Sequence, residues 1–143
     1  MDDANLPDTR LLLLAQEADE VPLISALVQD AILRPADVAY DRRARRLVLL
    51  IDRYRWEANN RTRVRSALRI ESVTRVQRRG WTDFGAHDPG ITILELLAFI
   101  VEDDVLTIAF AAGPTLRVST ECVDIILEDL SPPWRATRKP EHR

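Results

Sequence analysis

Apolar and polar positions along this chain recur with two different periods, and each change of period marks an element. Residues 10–16, RLLLLAQ, are a short apolar run that predicts a buried strand. The period then lengthens. Ile24, Leu27, Val28 and Ala31 fall at i, i+3, i+4 and i+7, one stripe of a helix that packs on a sheet. Asp19 suits its N-cap and Glu20 its electropositive first turn, while Pro22 is tolerated where the N–H has no intrahelical partner.

From Ile32 to Gly80 the signals are those of strands joined by tight turns. Val38 and Tyr40 lead into a polar turn, Asp41 to Arg46, and Leu47 to Trp56 is rich in strand formers. Alternation sends Tyr54 and Trp56 one way, as core aromatics, and Arg53 and Arg55 the other. After a polar tip at Asn59 and Asn60, Arg61, Arg63, Arg65 and Arg69 share one face, with Val64, Leu68 and Ile70 on the opposite one.

Residues 81–90, WTDFGAHDPG, read as a loop. Residues 91–101 fit both periods: Thr92 and Glu95 would make a capping box for a helix, but the neighbouring pattern favours a strand. Val105 to Phe110 and Thr115 to Ser119 form a hairpin around a turn at 111–114. Thr120 then caps an expected C-terminal helix with Val123, Ile126, Leu127 and Leu130 at i, i+3, i+4 and i+7, stopped by Pro132 and Pro133. The predicted fold class is α+β: an antiparallel, strongly bent sheet or partly closed barrel, loosely pleckstrin-homology-like, with an N-terminal helix and a C-terminal closing helix. One domain is expected over 10–134, with 1–9 and 135–143 as flexible tails.

Composition narrows the class. A chain of 143 residues, 46% hydrophobic and 30% charged, supports a single core and excludes a disordered or collagen-like polymer. One cysteine closes no internal disulfide, which suits a reducing compartment. Asp2, Asp3 and Asp8 precede the apolar run Leu11 to Leu14, unlike a secretory signal, and Ile91 to Val101 is too short to span a bilayer. A cytoplasmic protein without a membrane partner is expected.

The net charge of −3 conceals three blocks. Residues 1–41 hold nine acids and two arginines, 42–80 hold thirteen arginines and three acids, and 81–143 hold eleven acids and five bases. The middle block either awaits an anionic partner or pairs with its acidic flanks.

Two segments read together, DAILRPADVAYDRRARRLVLLIDRYRWE (30–57) and LTIAFAAGPTLRVSTECVDIILEDLSPPW (106–134), followed by RKPEH (138–142), resemble a family of short alphaproteobacterial proteins known as domain of unknown function 2948. The resemblance runs from about Leu11 to His142 and is weakest at 81–90. It implies one small bacterial cytoplasmic domain and brings no activity, cofactor or catalytic residue. Residues 81–99 alone are also similar to a segment of J-type phage baseplate proteins, a local likeness that would make 92–101 helical.

Candidate chemistry is sparse. Cys122, in the first turn of the expected closing helix, reads as a small buried or half-buried packing residue rather than a nucleophile. His87, Asp83 and Asp88 match no metal pattern, and Asp83 and Asp88 read as turn formers. Glu102, Asp103 and Asp104 read as a hairpin tip. No catalytic residue, metal or cofactor is assigned. The feature above background is an arginine-rich strand face of Arg53, Arg55, Arg61, Arg63, Arg65 and Arg69, with Trp134 as a packed anchor or an exposed aromatic. It predicts a non-enzymatic binding or adaptor module docking an acidic protein partner, or self-associating, through that face. The alternatives are a nucleic-acid binder using the same strip, and a small enzyme with a site near loop 81–90.

Overall fold

The computed structural model of the chain describes residues 10–81 and 93–137. Its strands are β1 (Leu12–Ala15), β2 (Ile32–Leu33), β3 (Val38–Asp41), β4 (Arg46–Tyr54), β5 (Thr62–Ile70), β6 (Val73–Arg79), β7 (Leu94–Glu102), β8 (Val105–Phe110), β9 (Thr115–Thr120), β10 (Ile125–Asp129) and β11 (Trp134–Arg135). One α-helix, α1 (Val21–Val28), occurs among the described residues. The strands form an antiparallel sheet in the order β1-β10-β5-β4-β2-β7-β8-β9-β6, with β3 added to β4 and β11 to β5. The sheet is not closed, so β1 and β6 end the path.

Helix α1 covers the first three positions of the predicted stripe, Ile24, Leu27 and Val28, while Ala31 lies beyond its end. Val21, Ile24 and Val28 are buried, and Pro22 sits in the first turn. The entry is tightened by Glu20, not Asp19: its Oε1 accepts the N–H groups of Gln16 and Glu17, each at 3.0 Å. The helix ends at Val28, and two residues on, Asp30, with a φ of 64°, turns the chain sharply. The Asp30 N–H then donates to the Leu96 carbonyl at 2.7 Å, and the Leu96 N–H to Ala31 at 2.9 Å. These bonds seat α1 beside β7, where Ser25 Oγ accepts the Phe99 N–H at 3.1 Å.

The core is built from alternate positions of the central strands. Leu47, Leu49 and Ile51 of β4 lie against Leu68 and Ile70 of β5, all fully buried. Each such side chain contributes about 1.5–3 kcal/mol on leaving water. Leu96 and Phe99 of β7, Ile108 and Phe110 of β8, and Leu116 and Val118 of β9 continue the same core. Trp81 closes one end, packing edge-on to Phe110 with ring centroids 5.8 Å apart and donating from Nε1 to the Thr115 carbonyl at 3.2 Å.

The ambiguous stretch resolves as strand β7, so the helix implied by the baseplate-like segment does not form from Leu94 onward. Glu102 ends β7 and Asp103, at φ 53°, turns into β8, the expected hairpin tip. The expected C-terminal helix is wrong. Residues 125–129 form β10, a strand inserted between β1 and β5. Ile125, Leu127 and Asp129 point inward, while Ile126 and Glu128 stay half-buried on the other face. A central strand with both faces covered carries apolar residues at both parities, so short runs mimic a helical stripe. Val123, Ile125 and Ile126 are β-branched and favoured the strand all along. Cys122 accordingly lies outside any helix and is exposed, not a packing residue.

Candidate functional site

The arginines singled out above do not share one face. Opposite residues of an antiparallel pair point the same way, and β4 and β5 pair with Tyr54 opposite Arg63, Asp52 opposite Arg65 and Arg53 opposite Val64. Arg53 therefore points into the core with Ile51 and Val64, while Arg63, Arg65 and Arg69 lie on the outer face. The hairpin register separates the groups: the Arg55 N–H donates to the Thr62 carbonyl at 2.9 Å, which fixes every pair behind it.

Arg53 is fully buried between two carboxylates. Its Nη1 and Nη2 donate to Glu57 Oε1 and Oε2 at 2.7 and 2.8 Å, and its Nη2 donates to Asp129 Oδ1 and Oδ2 at 3.1 and 3.0 Å. Asp129 also accepts from Ser66 Oγ at 2.7 Å and from the Leu11 N–H at 3.0 Å. Burial opposes the charge of Arg53, but the bonds to Glu57 and Asp129 win and raise its pKa. Burial likewise disfavours the Glu57 carboxylate, and the Arg53 bonds overcome it, holding Glu57 below its ordinary range. Among the described residues no buried side-chain polar atom lacks a partner, so this cluster is saturated and is an internal clamp between β4, β5 and β10. Asp129 carries no signal in the sequence, because the helical stripe Val123, Ile126, Leu127 and Leu130 hides its inward position on a strand. Arg55 is also buried, donating from Nη1 to Thr62 Oγ1 at 3.0 Å.

On the outer face the chain's own acceptors engage the arginines. Arg65 pairs with Asp52 at 3.0 Å and Asp37 at 3.4 Å, and Arg69 lies 3.9 Å from Glu128. Arg63 donates to the Asp52 carbonyl at 2.9 Å and lies over the Tyr54 ring, 5.8 Å from its centroid. Burial lowers its pKa, with neighbouring charges of Asp52, Asp30 and Glu95 only partly compensating. The aromatics thus lie on the side of Arg63, opposite to the expectation, with Tyr54 and Trp56 centroids 4.6 Å apart. Arg61 is exposed at the hairpin tip, at φ 51°, and its carbonyl accepts the Ala136 N–H. Trp134 is half-buried opposite Arg63 in the β5–β11 pair. Positions 83, 87 and 88, and the loop proposed for an enzyme site beyond Trp81, lie outside the described residues.

A different group of the same basic block gathers at an open edge. β6 pairs with β9 on one side, and its other side faces β3 across a cleft. The cleft has two lobes, of about 590 Å³ and about 500 Å³, which share Tyr40, Arg42 and Val76. Arg75 lines the first lobe and Arg78 the second. Arg42, Arg75, Arg78 and Arg79 are exposed. Among the described residues Arg42, Arg75 and Arg79 enter no ion pair. Arg45, at the closed end, pairs with Glu121 at 2.5 Å, and the Asp41 carboxylate is engaged in capping the turn, accepting the Ala44 N–H at 3.0 Å. Tyr40 and Val76 are half-buried and form an apolar floor. Arginine density from 42 to 79 was visible in the sequence, but its division between clamp and open cleft was not.

A second cleft, of about 650 Å³, separates Pro22, Ser25 and Ala26 of α1 from Leu97, Phe99 and Ile100 of β7 and is mainly apolar. Among the described residues no helix is long and apolar enough to cross a membrane, and no three His, Cys, Asp or Glu side chains gather as a metal site. A family model described as a protein of unknown function (DUF2948) matches residues 11–142. No curated protein and no solved structure matches the chain.

Proposed function

Since the chain belongs to the DUF2948 family over residues 11–142, which carries no activity with it, we propose from its surface chemistry that it is a non-enzymatic binding module for an acidic protein partner. The docking arginines in this proposal are Arg42 and Arg75 of the β3–β6 cleft, in place of the strand face of β4 and β5. One contrast supports it. Arg53, Arg65 and Arg69 meet the chain's own carboxylates, whereas Arg42 and Arg75 are exposed beside a concave apolar floor without such a partner among the described residues.

Guanidinium groups held around a cleft are forked donors for carboxylates, and their summed field speeds the encounter with an acidic partner. The whole chain is acidic, at −3, which disfavours long polyanions such as nucleic acid and favours a local acidic segment. The finer shape fits the same proposal: a strongly bent, partly closed barrel, loosely pleckstrin-homology-like, would bring β3 and the terminal strand β6 to either side of one opening.

Fluorescence anisotropy with labelled poly-L-glutamate, over a salt series, tests it. The native chain is expected to bind, with affinity falling as salt rises, and the double variant R42E/R75E to lose at least about tenfold. Equal binding by both proteins, or a preference for single-stranded RNA at physiological salt, overturns it.

A further inference from the structure

We propose that the acidic partner enters the β3–β6 cleft as an extended segment that adds a strand to the edge of β6 that no strand among the described residues covers. This rests on reading the cleft as an acid-binding surface. β6 is the last strand of the sheet path, and the residues across from it, Val38 to Asp41 of β3, are themselves paired only to β4. The two strands are pinned at one end, where the Val73 N–H donates to the Arg45 carbonyl at 2.8 Å. β3 runs towards that pin and β6 away from it. Beyond it, among the described residues, the strands exchange no backbone hydrogen bond, and the two lobes of the cleft lie between them.

A sheet edge offers a row of backbone N–H and C=O groups that an incoming strand can pair. The side chains of β6 decide which strand. In its pairing with β9, Val76 is opposite buried Val118 and Arg78 opposite buried Leu116, so these two are on the inner face that borders the cleft floor. Arg75, Gln77 and Arg79 alternate to the outer face, where Gln77 is opposite exposed Arg117. An added strand repeats this alternation, since residues opposite one another share a face. Its outer positions, about 6.8 Å apart, meet Arg75, Gln77 and Arg79 and call for Asp or Glu. Its inner position beside Val76 and Tyr40 calls for an apolar side chain. Like charges opposed across strands repel, so the same arginines disfavour pairing of β6 with a second β6. The recognised pattern is therefore an acidic and apolar alternation in an extended peptide.

A synthetic peptide of alternating Glu and Val, and the same peptide N-methylated at alternate residues, are titrated against the full chain by calorimetry, with amide hydrogen exchange read on β6. The unmethylated peptide is expected to bind at least about tenfold more tightly and to slow exchange along 73–79. The variant R75E/R79E should weaken it and prefer a Lys-Val peptide. Equal affinity for methylated and unmethylated peptides overturns strand addition while leaving the acid-binding cleft intact. Failure of both peptides and of poly-L-glutamate to bind overturns both. A single-stranded RNA that displaces the Glu-Val peptide and protects 73–79 in its place also overturns the strand proposal.

Discussion

Arg53 and Arg65 differ by twelve positions and by everything that matters energetically. Arg53 is fully buried and held by Glu57 and Asp129, so removing Arg53 leaves the buried Asp129 carboxylate without its cation, and removing Asp129 leaves buried Arg53 with the partly exposed Glu57 alone. Arg53→Ala or Asp129→Ala is expected to cost about 3–5 kcal/mol in urea denaturation. Arg65 is 31% exposed beside an Asp52 that is 38% exposed, so Arg65→Ala should cost no more than about 1 kcal/mol. Similar losses for the two would refute the clamp. Cys122 is exposed, so Cys122→Ala should shift stability by less than about 0.5 kcal/mol while abolishing labelling by a maleimide.

Two carboxylates make acid stability predictable in sign. Asp37 is held below its ordinary pKa: some burial raises it, but the Arg34 N–H at 3.0 Å, the Arg34 side chain and the Arg65 charge outweigh that. Glu57 is held down by Arg53 against its burial. Both groups bind protons more weakly folded than unfolded, so their contribution is complete above the ordinary carboxylate range, about pH 4, and is lost as pH falls through the lower folded values. Urea midpoints should drop from pH 5 to pH 3, and Glu57→Gln should flatten part of that slope while lowering stability at pH 7.

At the scale of elements, the most instructive is β10. Its residues 125–129 satisfy a helical stripe and a strand alternation together, and only the presence of β1 on one side and β5 on the other selects the strand. Leu127 is fully buried between them and Ile126 half-buried, so Leu127→Ala should cost about 2–5 kcal/mol and Ile126→Ala clearly less. Equal losses would mean that the inward and outward assignment is wrong. Helix α1 and the hairpin β8–β9 were legible because local signals agreed: the stripe from Ile24, and the turn at 111–114 between two alternating runs. The strand β7 was half-legible, since the exposed Leu97 and Ile100 blur the contrast between its two faces and a bulge between Leu96 and Ala98 shifts its alternation.

For the whole molecule, the question is where the charge of the middle block goes. Part is consumed inside, in the clamp and the outer-face pairs, and part remains at the β3–β6 opening. Because Arg42 and Arg75 are exposed and enter no ion pair among the described residues, R42E/R75E is expected to fold with a urea midpoint close to the native one while losing the acidic ligand, which separates binding from stability. A variant that lost both together would not carry the interpretation, whereas retained binding would overturn it.

By itself the sequence determined the strand-rich antiparallel class, the presence of a helix around Ile24 to Val28, the β8–β9 hairpin and the concentration of arginine between residues 42 and 79, because these follow from periods and compositions within short windows. The tertiary structure alone decided that β10 is a strand, that Arg53 turns inward while Arg63 and Arg65 turn outward, and that β3 and β6 face each other across an opening. Each of these depends on which distant segment lies alongside: a register shifted by one residue exchanges the faces of a strand, and no local pattern records the identity of a neighbour more than sixty residues away, as Asp129 is from Arg53.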